Sequence, residues 1–166
     1  DFGQSIDPNR QYTLEQLHGL YPGSQLVRLE KSYRSTWEII HFAKQLVHQA
    51  DFEAVERHGE APAVFAAATE EEELSRLCQI VEEFHHSEYN ALGIVTRTNG
   101  EAQALYEQLT SRGAQVSLVT PESNSFHNGA LVLSVQMSKG LEFDQVAVPH
   151  VNAGTYHTPF DRNLLY

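Results

Sequence analysis

Cysteine is nearly absent from this 166-residue chain: Cys78 stands alone, so no disulfide can form within it. That scarcity suits a reducing compartment, and the sequence shows neither a charged-then-apolar leader nor an apolar run long enough to span a membrane. The cytoplasm is the expected location. Positive charge is also in short supply, with 11 Lys and Arg against 22 Asp and Glu and a formal net charge of -11. Duplex nucleic acid would be repelled on average, and Lys31, Lys44, Lys139 and the arginines are too few for binding by broad phosphate neutralisation. Any strand contact must therefore be local, or be completed by another domain. No lysine has the G-x-x-x-x-G-K-[ST] spacing before it, so this chain has no phosphate-cradling loop of its own. The nine histidines make no H-E-x-x-H or cysteine-paired pattern. No metal site is expected, and His85-His86 read as surface or packing residues.

What remains is ordinary globular material, 41% hydrophobic and 20% charged, of a length suited to one domain with a real core. Apolar runs at Leu26 to Leu29, Val64 to Ala68, Leu92 to Val95, Val116 to Val119, Leu131 to Val135 and Val146 to Val148 predict strands. Between them lie stretches of helical period. Ser35 and Glu38 predict a capped helix with Ile39, Phe42, Ala43, Leu46 and Ala50 inward, and Thr69 and Glu72 cap a second, striped by Leu74, Leu77, Cys78, Val81 and Phe84. A third starts with Asn99 as N-cap, buries Ala102, Leu105 and Leu109, and stops at Arg112-Gly113. Thr13 and Gln16 mark a shorter helix near the start. Strands alternating with helices of this length imply an α/β fold, a mainly parallel sheet with helices on both faces in three layers. His58 to Pro62 and Pro121 to Gly129 read as exposed loops.

Ligands of open parallel sheets bind beyond the carboxyl ends of strands, which directs attention to two turns. The first, Leu29-Glu30-Lys31-Ser32-Tyr33-Arg34-Ser35, sets an aromatic ring and an arginine just before a helix start. The free N-H groups there suit an anion, and the guanidinium fork matches phosphate oxygens. The second, Ser134 to Asp144, carries Lys139-Gly140 with Glu142 close behind, a lysine for phosphate and a carboxylate for a ribose hydroxyl. On residue grounds alone Tyr33 is equally a half-buried ring, Arg34 a surface charge paired with Glu30 or Glu38, and Lys139-Gly140 a plain turn.

The words around these residues carry a resemblance. Asp1-Phe2-Gly3-Gln4-Ser5-Ile6 resembles the G-D-x-x-Q-S-I element of UvrD/Rep-type superfamily 1 DNA helicases, and Lys31 to Thr36 with Glu38-Ile39 resembles their Y-R-S-T-x-E-I element. Val95-Thr96-Arg97-Thr98-Asn99 is similar to the segment ending in R-T-N, and Lys139-Gly140-Leu141-Glu142-Phe143-Asp144 to the K-G-L-E-F-D signature. These four elements stand in family order over most of the chain. Asp161 to Tyr166 resembles the lead-in to a last element, expected just past Tyr166, that supplies a further arginine.

The resemblance implies a single RecA-like domain over residues 1-166, the second motor domain of an ATP-dependent DNA helicase, without a large accessory insertion between Asn99 and Leu131. It further implies that Gln4 senses the γ-phosphate and its attacking water, Tyr33 stacks on adenine, Arg34 acts as an arginine finger, and Lys139, Gly140 and Glu142 complete the nucleotide contacts. Arg97, Asn99, Gln136 and Ser138 are the candidates for single-stranded DNA. The implied partners are ATP with Mg²⁺, held mainly by an N-terminal RecA-like domain, that domain itself, and single-stranded DNA. Without a phosphate loop this chain alone should not hydrolyse ATP. Asp7 replaces the aromatic that usually follows Q-S-I, and Ser134-Val135-Gln136 replaces a T-x-H word. Both departures point towards HelD-like proteins, in whose branch RNA polymerase is a further partner. Two rivals stand beside this reading: a non-catalytic module binding RNA polymerase, and a free-standing doubly wound domain for a small anionic ligand.

Overall fold

A computed structural model describes residues 13-25, 27, 31-46, 53-54, 56-123 and 128-165. In chain order the elements are α1 (Leu14–Leu20), β1 (Lys31–Ser32), α2 (Trp37–Leu46), β2 (Glu53–Ala54), α3 (Glu70–His85), β3 (Ala91–Thr96), α4 (Asn99–Ser111), β4 (Ser117–Leu118), β5 (Gly129–Ser134), α5 (Val135–Ser138), β6 (Gln145–Ala147) and α6 (Pro159–Asn163). They fall into two compact units, Asp1–Val64 with Tyr156–Tyr166, and Phe65–Thr155. No helix among the described residues is long and apolar enough to cross a membrane.

The Phe65–Thr155 unit is an α/β fold around a four-stranded sheet of order β4-β5-β3-β6, in which every pairing is parallel. Its two middle strands are continuous apolar runs because both faces are covered. Side chains alternate along them. Leu92 and Ile94 of β3 and Ala130 and Val132 of β5 join Leu74, Leu77, Val81 and Phe84 of α3 and Ala102, Leu105 and Leu109 of α4 in one core. Leu131 and Leu133 turn the other way and pack with Val119, Val95, Met137, Leu141 and Phe143. Each fully buried leucine contributes about 1.5–3 kcal/mol, so the expected stripes of α3 and α4 are a large part of what holds the helices to the sheet.

Thr69 Oγ1 accepts from Glu72 N at 3.2 Å as expected, but the Glu72 carboxylate accepts from Ala68 N at 2.8 Å, one residue outside the expected reciprocal box. At α4 the cap is Thr98, not Asn99: Thr98 and Glu101 form both halves of a capping box, and Asn99 becomes the first helical residue. A threonine and an asparagine in succession leave the choice of cap open, and Glu101, three residues after Thr98, decides it. Between the helices, Gln108 Nε2 donates to Glu70 Oε1 at 2.8 Å, and Arg112 pairs with Glu71.

Two strand expectations need correction. Val64 to Ala68 forms no strand; Val64 is 78% exposed and the segment leads straight into the Thr69 cap. Pro62 removes a donor just before it, and apolar content alone cannot supply a paired neighbour. The run Leu131 to Val135 also ends one residue early, because the Ser134 side chain accepts from Met137 N and turns the chain into α5. The run at Leu26 to Leu29 lies largely outside the described residues.

In the other unit β1 and β2 pair in parallel, Lys31 opposite Glu53. Thr13 and Gln16 form the full capping box of α1, as their spacing predicts. Helix α2 departs from expectation in start and phase. It begins at Trp37, with Thr36 Oγ1 at 3.5 Å from Ile39 N, so Ser35 is not its cap. Ile40 is its buried residue and Ile39 is 45% exposed. Adjacent isoleucines leave a helical period ambiguous by one residue, which amounts to a rotation of about 100°. Pro159 opens α6 after a Thr158 cap boxed with Asp161.

Candidate functional site

Tyr33 and Arg34 lie in the turn between β1 and α2. Tyr33 is 71% exposed and Arg34 is exposed as well, which removes the half-buried-ring reading. The turn is not left to find its own shape. A segment from residues 57 to 59 binds it at four points. Arg57 Nη1 donates to the Arg34 carbonyl oxygen at 3.2 Å, and the Arg57 carbonyl accepts from Trp37 N at 2.8 Å. Glu38 then accepts from His58 Nδ1 at 2.8 Å with one oxygen and from Gly59 N at 2.9 Å with the other. Those bonds, the His58 one foremost, lower the Glu38 carboxyl from its ordinary 4.5 to about 2. The approach at Gly59 is close, since a Cβ there would stand 2.7 Å from Thr36 Cγ2.

The candidate strand-contacting residues gather where the two middle strands of the four-stranded sheet end. Thr96 and Ser134 are partners in the β3–β5 register, so Arg97 and Asn99 leave one middle strand where Gln136 and Ser138 leave the other. Ser134 Oγ donates to Asn99 Oδ1 at 2.5 Å, and Thr96 Oγ1 donates to the carbonyls of Thr98 at 3.0 Å and Leu133 at 3.3 Å. The Thr98 cap makes this possible, because it frees the Asn99 side chain for Ser134. Arg97 Nη2 is 3.3 Å from Glu101 Oε1, so its charge reaches any phosphate already partly balanced. Gln136 is exposed and Ser138 half-buried.

Lys139, Gly140 and Glu142 follow directly in the same unit. Gly140 has φ +87° and open space around it, a conformation costly for other residues. It reverses the chain after α5, with Leu141 N donating to the Ser138 carbonyl at 2.9 Å. Lys139 and Glu142 are exposed. What holds them is the end of the same word. Phe143 covers the backbone of Gly93 in β3, where a Cβ would meet its ring at 2.9 Å. The Asp144 carboxylate accepts from Asn90 N at 2.7 Å and Ala91 N at 2.9 Å, and Asp144 N donates to the Ala91 carbonyl at 2.9 Å. Phe143 and Asp144 are thus anchors for the turn that presents Glu142.

Of the residues that the resemblance assigns to the nucleotide, Tyr33 and Arg34 lie in one unit and Lys139, Gly140 and Glu142 in the other, where the strand candidates Arg97, Asn99, Gln136 and Ser138 also lie. Gln4 lies outside the described residues. The anchoring set of Arg57, Glu38, His58, Gly93 and Asp144 was missed or left unassigned. Glu38 and Asp144 had a signal, their places in two of the signature words; Arg57 is 23 residues from Arg34 and carries none.

A parallel four-stranded sheet packed with helices, with polar side chains clustered where its middle strands end, defines the class: an α/β domain of the parallel type. The particular family follows from comparison with known proteins. Residues 27–129 match the UvrD-like helicase C-terminal domain, and the chain belongs to that family. Among solved structures it is similar to the C-terminal domain of a possible DNA helicase from Lactobacillus plantarum WCFS1, with 31% identity, a TM-score of 0.68, and coverage of 81% of this chain and 78% of that one. No curated protein gives a significant match.

Proposed function

We propose that the chain is the second motor domain of an ATP-dependent DNA helicase or translocase, with ATP held by an N-terminal RecA-like partner domain. The observation that carries this reading is the exposed Tyr33-Arg34 pair, braced at its carbonyl and set before a helix start, inside the Y-R-S-T word of a helicase family. A guanidinium supplied from a neighbouring domain to a transferring phosphoryl group has one task, the stabilisation of charge that develops in the transition state. Tyr33 offers a ring face to the adenine, Glu142 a carboxylate to the ribose, and Lys139 and Gly140 complete that side. Gln4 is assigned to the γ-phosphate and its water. Mg²⁺ neutralises phosphate charge when bound with ATP, and its ligands belong mainly to the partner domain, since no phosphate loop is present here.

Arg97, Asn99, Gln136 and Ser138 form a short polar track for single-stranded DNA beyond the carboxyl ends of the two middle strands. The overall charge of -11 and the Arg97–Glu101 pair favour a track that reads a strand by local hydrogen bonds over one that binds it by bulk attraction. Neither the HelD-like affiliation nor an RNA polymerase partner gains support from the comparisons, and neither enters the proposal. Arg34→Ala in the complete protein is the test. Turnover of ATP falls by about a thousandfold or more while nucleotide affinity stays near normal. Near-normal turnover in that variant refutes the assignment.

A further inference from the structure

We infer that Arg57, seated in the turn by the Glu38–His58–Gly59 lock, is a positioning residue for the arginine finger: it sets where the Arg34 backbone stands, and through it the reach of the guanidinium. This rests on the function proposed for Arg34. The physical case is one of connectivity. Arg34 occupies a turn one residue beyond the two-residue strand β1 and its Tyr33 neighbour, and α2 starts only at Trp37. Regular backbone pairing therefore does not determine the path of the chain between them. The determinants come from 20 or more residues away in sequence. The Arg57 side chain donates to the Arg34 carbonyl, the Arg57 carbonyl accepts from the first N-H of α2, and His58 and Gly59 donate to the carboxylate of Glu38 in the first helical turn.

These contacts form a closed figure. One residue, Arg57, bridges both ends of the turn, donating at Arg34 and accepting at Trp37. The segment is in turn held one and two residues later, by the His58 ring and the Gly59 N-H, both donating to a single carboxylate of the same helix. The missing Cβ of Gly59 lets this segment reach the Thr36 methyl at a distance that any side chain would push apart. A finger acts by electrostatics at fixed geometry, and a displacement of about 1 Å is enough to cost about a hundredfold in rate. A brace on the carbonyl of the finger residue itself is therefore placed to control turnover while touching neither nucleotide nor strand. Both Arg57 and His58 are exposed, so their truncation removes a contact and not a core.

The test is made in the complete motor with both halves, and reads kcat, KM for ATP, nucleotide affinity and thermal unfolding. Arg57→Ala lowers kcat about tenfold to a hundredfold, with KM, affinity and melting temperature near those of the parent, and Arg57→Lys, which keeps one donor, recovers most of the loss. Gly59→Ala reaches the same turn from its other side and likewise lowers kcat at near-normal nucleotide affinity, with a drop in melting temperature from crowding against Thr36. Unchanged kcat in Arg57→Ala, or a fall in kcat matched by an equal loss of affinity, overturns the inference. Arg34→Ala run in parallel separates the two levels. If it turns over normally, the finger assignment itself has failed; if it is inactive and Arg57→Ala is normal, only the positioning role has failed.

Discussion

Gly93 in the middle of the sheet gives the sharpest structural prediction. Its backbone is paired on both sides, to Leu131 in β5 and Val146 in β6, so it has little freedom to retreat. A methyl added there would meet Phe143 Cδ2 and Cγ at 2.9 Å and Cε2 at 3.0 Å. Carbon pairs are comfortable at about 3.5–4.0 Å, so the ring must move by roughly half an ångström or more. Overpacking of this kind costs about 1–3 kcal/mol, and the lower entropy of the unfolded alanine chain returns about 0.4–1 kcal/mol. The net effect of Gly93→Ala is a destabilisation of about 1–2 kcal/mol, which urea titration followed by far-ultraviolet dichroism can measure. The cause is tested by a double-mutant cycle with Phe143→Leu, which opens space at the same place. In that background Gly93→Ala costs less, with a coupling of at least about 0.5 kcal/mol. Additivity of the two changes to within about 0.3 kcal/mol would show that ring and backbone do not press on each other, and the reasoning would be refuted.

Acid should act on the Glu38 lock. Its carboxyl is lowered from 4.5 to about 2, so its stabilisation is complete above about 4.5 and disappears as pH falls through about 2. Glu38→Gln should therefore flatten the dependence of the urea midpoint on pH between those values, whereas parallel profiles for parent and variant would dismiss the lock. At α4, Thr98→Ala removes one half of the capping box and should cost about 1 kcal/mol, while Asn99→Ala leaves the box in place and weakens single-stranded DNA binding. No loss of melting temperature in Thr98→Ala would take the cap away from Thr98.

The four-stranded sheet was legible because its strands are short apolar runs bounded by capped helices, and the stripes of α3 and α4 could be read off residue by residue. Three things were not legible. A run such as Val64 to Ala68 has strand composition, yet composition names no partner, and Pro62 before it was weak warning. Ile39-Ile40 gave two phases for one helix, and only the folded unit selects Ile40. Caps placed side by side, Thr98-Asn99 and Ser35-Thr36, differ by one residue in sequence and decide which side chain remains for other work, as Asn99 shows with Ser134. At the candidate site the residues that present chemistry were visible because they lie in contiguous words. Those that brace them, Arg57 against Arg34 and Asp144 against Ala91, act across 23 and 53 positions respectively, and even the word that contains Asp144 does not name its partner.

The most direct measurement of the account uses a transition-state mimic. Binding of ADP with Mg²⁺ and a planar aluminium fluoride group to the complete protein should be weakened by Arg34→Ala about a hundredfold or more, while binding of a non-hydrolysable ATP analogue changes by less than about threefold. A finger that stabilises developing charge predicts that split. Equal weakening of both ligands, or of neither, would contradict it.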